Sequence, residues 1–225
     1  MCNRYVSPGA ADLERIWSIK KPTFDWATRQ VFPRGLGTFV RKDEASPDEI
    51  GELVVGQWGL VPWFAKTPKL TYSTNNCRWE SAATAASFKQ SWQSGRRCLI
   101  PAWEFFEPNW ESGKNEWWRF RRADERPWGL AGLWNTWMDK STGEVVESYT
   151  MLTMNADAHP LMRRMHKPDP KLSSVDQDKR SVVIIEESEF ENWLSGTKEQ
   201  AAALVALTDE SLFLAKPEAE RNPSL

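Results

Sequence analysis

Cysteine is scarce in this chain: the 225 residues hold three, at positions 2, 77 and 98, with no C-x-x-C pair. That excludes a disulfide framework, argues against a zinc site and leaves a reducing cytoplasm as the expected compartment. Histidine is scarcer still, with His159 and His166 in one stretch. No apolar run approaches a membrane-crossing length, and the start MCNRYVSPGAADLERIW lacks the apolar segment of a secretory leader. A lipidated Cys2 is a weak alternative and is not expected, because only Met1 precedes it. The formal net charge of −2 excludes a broadly basic surface, so any nucleic-acid contact must come from a few Arg and Lys in a groove. No repeat, low-complexity tract or linker divides the chain, and no motif calls for a metal or cofactor. One domain over residues 1–225 is expected.

Aromatic residues are plentiful, with 14 Trp and 10 Phe. Tryptophan serves cores and stacking surfaces alike, and most of these are expected to be buried or half-buried. Leu13, Ile16 and Trp17 have helical spacing within residues 10–19. Strands are expected over 38–42 and 52–58, joined by the turn-rich DEASPDEIG, and a punctuated loop WGLVPWFAKTP follows. Residues 79–92 read as a helix. RRCLIPA, WEFFEPNW, EWWRFRR, WGLAGLWNTWMD and ESYTMLTMNA read as strands, the last two a hairpin through DKSTGE. A long charged loop over 159–180 follows, then the strand KRSVVIIEE, a helix over SEFENWLSG with Ser188 as N-cap, the helix TKEQAAALVAL and a polar tail. The pattern is α+β: a mostly antiparallel curled sheet or barrel with a few flanking helices.

Four features carry chemistry. If Met1 is removed, Cys2 offers a thiol and an α-amine of ordinary pKa about 8 on adjacent carbons. An aldehyde can take both, as an imine that the thiol closes to a thiazolidine. In STNNCRWES, alternation places Asn76, Arg78 and Glu80 on one side of an extended segment, where Glu80 can anchor Arg78 and Arg78 can hold a phosphate. Glu107 follows an apolar run, so burial is expected to raise its pKa and suit it to acid–base work. His166, the side chain best suited to moving protons near neutral pH, lies beside Arg163, Arg164 and Lys167, a local positive patch.

MCNRY, WGLVPWF, NCRWE, RRCLIPAWEFFE and MHKPDP followed by KRSVVII stand in an order that resembles the SRAP family of abasic-site processing proteins, from Cys2 to about Trp193. The resemblance implies that Cys2 links covalently to the ring-opened abasic aldehyde in single-stranded DNA. It implies that Asn76 positions the amine of Cys2, and that Glu107 and His166 are catalytic. It also implies phosphate contacts by Arg4 and Arg78, with Trp63 and Phe64 against the flanking bases. A monomer that binds abasic single-stranded DNA and no membrane is expected. Three departures stand out: Asn3 where the family usually has Gly, a second carboxylate at Glu104, and a longer loop after His166. Two other readings stay open. One is a cysteine peptidase that processes its own N-terminus or acts in trans. The other is a non-covalent single-strand binding module.

Overall fold

The computed structural model describes residues 1–20, 22–43, 45 and 49–218. Part of the DEASPDEIG connection and the tail beyond Glu218 lie outside the described residues. An extended stretch leads into β1 (Tyr5–Ser7) and α1 (Ala10–Trp17), which buries Ala10, Leu13 and Trp17 and stops at Ser18 in the left-handed conformation. Then come β2 (Arg29–Val31), β3 (Leu36–Arg41), β4 (Glu52–Trp58) and β5 (Asn76–Arg78). Two short helices follow, α2 (Trp79–Ala82) and α3 (Lys89–Gln93). The central strands are β6 (Arg97–Ala102), β7 (Glu104–Asn109), β8 (Glu116–Arg122), β9 (Trp128–Met138) and β10 (Val145–Asn155). The chain continues through β11 (Arg180–Val182), β12 (Ile184–Ile185), α4 (Phe190–Ser195) and α5 (Lys198–Ala203) to β13 (Phe213–Pro217).

Strands β10, β4, β3, β6 and β9 pair in that order, and β9 pairs back onto β10, closing a five-stranded barrel in a single α+β domain. Pairing is antiparallel except where β10 runs parallel to β4 and β5. Apolar side chains are buried on both faces of the barrel strands: Val40, Leu99 and Leu133 pack on one side, and Phe39, Trp58 and Tyr149 pack with Tyr5 on the other. Gly37 is required there, because a Cβ would stand 2.1 Å from the Tyr149 hydroxyl and 2.3 Å from that of Tyr5. A second sheet, β13-β8-β7-β1-β2, leans on the barrel, and β6 runs directly into β7 across Trp103. This continuity carries Glu107 out of the barrel wall and beside the N-terminus. Of the 14 tryptophans, seven are buried, six are half-buried and Trp63 is exposed.

Several expected elements differ. The helix over 79–92 is broken: the Ser81 hydroxyl donates to Arg78 O and the Thr84 hydroxyl to Ser81 O, so side chains compete with the helical ladder. The two short helices instead meet through Trp79 and Trp92, edge to face at 4.9 Å. Ser188 does not cap α4. It lies inside a 3₁₀ turn over Glu187–Glu189, where Glu189 N–H donates to Glu186 O. The helix α5 starts at Thr197 with a full capping box through Gln200, and ends at Ala203, short of the expected 207. The expected tail contains β13, whose Phe213 packs on Phe105, Phe120 and Trp128.

Candidate functional site

The N-terminal stretch lies between β5 and β7. Cys2 is fully buried, and its thiol donates to Arg4 O at 3.4 Å. Asn76, at the start of β5, donates through Nδ2 to the Cys2 carbonyl at 2.7 Å. Its hold is therefore on the carbonyl of Cys2 rather than on an amine. Asn75, which sequence reasoning missed, adds a second donor to that carbonyl at 3.4 Å and donates to Asn3 Oδ1 at 3.1 Å. Asn3 is exposed and outside the left-handed region, so its backbone does not demand glycine.

Glu107 is 1% exposed, and its Oε2 lies 2.8 Å from His166 Nε2. The α-amine of Met1 stands 2.5 Å from the same Nε2 and 3.6 Å from Oε2. Amine, imidazole and carboxylate thus form one contiguous path for a proton. Glu104 belongs to the other face of β7, where it lies 3.5 Å from both Arg119 and Arg121. Glu107, and not Glu104, is the carboxylate of this cluster.

Burial pushes the Cys2 thiol up to about 12, helped by the negative charge of Glu107. Glu107 corrects the sequence expectation. Burial does work to raise it, but the N-terminal ammonium and His166 outweigh burial and hold the carboxyl below its ordinary value. The site therefore favours an anionic carboxylate beside a neutral thiol.

The loop bearing His166 is unusually well tied. His166 has φ 64°, in the left-handed region, and its N–H donates to Pro108 O at 2.6 Å. Lys179, 7% exposed, donates from Nζ to Met165 O and His166 O, both at 2.7 Å. In sequence Lys179 is one of several charges in QDKR and gives no signal. The other histidine, His159, is structural: Nε2 meets Thr208 O, and Nδ1 accepts the N–H groups of Leu161 and Met162.

Most of the cationic residues named from the sequence have partners. Arg4 pairs through both guanidinium nitrogens with Glu218 and stacks 3.8 Å over Phe106. Arg78 pairs with Asp178 at 2.7 Å. Glu80 does not anchor Arg78, because the strand ends there and α2 begins at Trp79, breaking the alternation. Glu80 instead grips the buried Arg180 in two contacts of 2.7 and 3.0 Å. Burial works to raise Glu80, but Arg180 overrides it and holds it at about 2. Arg164 pairs twice with Glu111, and Lys167 lies 5.1 Å over the Trp110 ring. Arg163 is exposed, and with Arg164, His166, Lys179 and Trp110 it lines a groove of about 870 Å³. Trp63 and Phe64, 64% and 43% exposed, meet edge to face in a loop held on either side by Asn135 and Trp137, which donate to Val61 O and Ala65 O. No cluster of His, Cys, Asp and Glu that could hold a metal occurs among the described residues, and no described helix is long and apolar enough to cross a membrane.

The chain is similar to named proteins. It is 29% identical over 159 residues to the abasic site processing protein HMCES of Xenopus tropicalis, covering 61% of this chain and 46% of that one. It is 28% identical over 138 residues to the abasic site processing protein YoaM of Bacillus subtilis, covering 61% and 58%. The match thus spans about half the length of these curated relatives. A crystal structure of a Bordetella bronchiseptica protein superposes with a TM-score of 0.84 at 31% identity, covering 96% of this chain and 99% of that one. Residues 1–217 match the family described as SOS response associated peptidase (SRAP), and the chain belongs to that family.

Proposed function

We propose that this protein, once Met1 is removed, forms a thiazolidine crosslink through Cys2 with the ring-opened aldehyde of an abasic site in single-stranded DNA. One observation carries the reading. The chain's terminal amine rests on a half-buried imidazole paired with a buried carboxylate, and the carbonyl of Cys2 is held by Asn76. The names of its relatives as abasic site processing proteins support it. In the reaction the α-amine of Cys2 adds to the aldehyde carbon and water leaves, giving an imine. The thiol then adds to the imine carbon, its proton passing to nitrogen; no electrons enter or leave. Glu107 and His166 move the protons of sugar opening and dehydration. A thiol held near 12 is a poor nucleophile on its own. The amine therefore acts first, and the thiol closes a ring whose geometry is already set. Arg4, Arg78, Arg163, Arg164 and Lys167 meet the phosphates, and Trp63 with Phe64 stacks against flanking bases.

Self-processing is the second reading with an observation behind it, since Met1 itself lies on the Glu107–His166 pair. The two are sequential: hydrolysis of the Met1–Cys2 bond uncovers the amine. The test incubates the protein with an abasic oligonucleotide and resolves it under denaturing conditions, with intact mass reporting Met1. A shifted band that requires Cys2 is expected. Binding without a band, in protein whose N-terminus is Cys2, leaves only a non-covalent single-strand module.

A further inference from the structure

A catalytic imidazole needs an orienting partner, commonly a carboxylate or carbonyl on its second nitrogen. His166 has none: Nδ1 is buried without a hydrogen-bond partner among the described residues. Nε2 is committed to Glu107 and the N-terminal amine. The ring's aim must therefore come from the backbone beneath it, and that backbone is in a conformation that non-glycine residues avoid, with φ 64°. Three hydrogen bonds hold it: the His166 N–H on Pro108 O, and Lys179 Nζ on both Met165 O and His166 O.

Lys179 is suited to this role by place. It comes immediately before β11, and its own backbone is fixed on both sides. Its N–H donates to Asp157 at 2.9 Å, and its carbonyl accepts the N–H of Ala156 at 2.7 Å. The lysine thus ties the loop to the base of β11 at a buried point, as the His166 N–H ties it to β7. An apolar side chain there would leave both carbonyls without this donor, and a carboxylate would offer them only acceptors.

We infer that Lys179 is a positioning residue for His166: its buried ammonium binds the carbonyls of 165 and 166 and so fixes the left-handed backbone that aims the imidazole at Glu107 and the N-terminal amine. The inference rests on the crosslinking reading of the site.

Its test is a double-mutant cycle on the full chain, measuring the rate of adduct formation with excess abasic single-stranded oligonucleotide. Lys179→Met is expected to slow bond formation at saturating DNA by roughly tenfold to a hundredfold, as small misplacements of reacting groups do. The half-saturating DNA concentration should change by less than about twofold, as for a group acting after binding. In a His166→Ala background, followed over hours, the same substitution should change the rate by less than about twofold, because the residue it acts through is gone. Equal slowing in both backgrounds, or an effect confined to half-saturation, overturns the inference. Lys179→Gln, which keeps a donor without the charge, serves if the Met variant folds poorly. Imidazole NMR gives an independent reading, since the chain has two histidines. The His166 signals should move in Lys179→Gln while those of His159 stay, and an unmoved His166 also overturns it. If wild type forms no adduct, the reading of the site fails; if it does and the cycle is additive, only the role of Lys179 fails.

Discussion

The acid–base cluster and the cationic rim around it are built on opposite principles. In the cluster, groups from distant segments satisfy one another: Met1 amine, Glu107 and His166 on one side, Cys2 carbonyl and Asn76 on the other. In the rim, the cations are occupied by carboxylates of the same chain. Glu218 holds Arg4, Asp178 holds Arg78 and Glu111 holds Arg164, while Arg163 stands exposed. In the proposed function a DNA strand would exchange these partners for its phosphates. On the proposed reading, chemistry is preorganised and binding is competitive, so a chain of net charge −2 would hold a polyanion by exchange of partners.

Breaking the cluster gives the largest expected effects. Cys2→Ala should abolish the denaturation-resistant adduct while non-covalent affinity, measured by fluorescence anisotropy, stays within about twofold of wild type, because binding belongs to the rim. Glu107→Gln should slow adduct formation by about 10²–10⁴-fold in single-turnover assays, the range for a positioned acid–base group.

The same variant has a stability signature. The folded carboxyl titrates below its ordinary value, so the unfolded chain takes up the proton first as pH falls. The stabilisation is present above an unfolded pKa near ~4.3 and drains away as pH drops toward the folded value. Thermal unfolding should show wild type losing stability more steeply than Glu107→Gln below that pH. A parallel loss in the two proteins contradicts the assignment.

At the rim, Trp63→Ala should weaken binding of an intact single strand by about 1–3 kcal/mol per stacked base, with the rate from the bound state little altered. The smallest effect sharpens the idea of exchange. Arg78→Ala should reduce the slope of log affinity against log salt by about 0.7, the value for one phosphate of a single strand. Asp178→Asn should instead tighten binding slightly, by less than about 1 kcal/mol, since an exposed ion pair is weak. If Asp178→Asn weakens binding, Arg78 is not awaiting a phosphate.

Much of the fold was legible. The central strands and the hairpin through DKSTGE follow from alternation and turn chemistry, and α1 from helical spacing. The three-residue strands β1 and β2 were not, because so few residues carry no period; only their pairing with β7 and with each other defines them. The parallel pairing of β5 on β10 is equally a long-range fact. At the site, residue types were readable and relationships were not. Glu107, His166, Asn76 and Cys2 lie together around the N-terminus. The partner of Glu80, the grip of Asn76 on a carbonyl and the lowered pKa of Glu107 depend on what lies opposite in space. Lys179 and Glu218 were invisible for the same reason: a surface-looking charge becomes a clamp or a cap only when its partner is known.

In the proposed reaction the thiol and the amine of one residue act together. The most direct measurement digests the adduct with nuclease and trypsin and identifies the modified peptide by mass spectrometry. The account predicts a Cys2–Arg4 peptide, lacking Met1, that carries the sugar remnant and resists both thiol alkylation and amine acylation. A remnant on any other residue, or a Cys2 thiol that still alkylates, contradicts it.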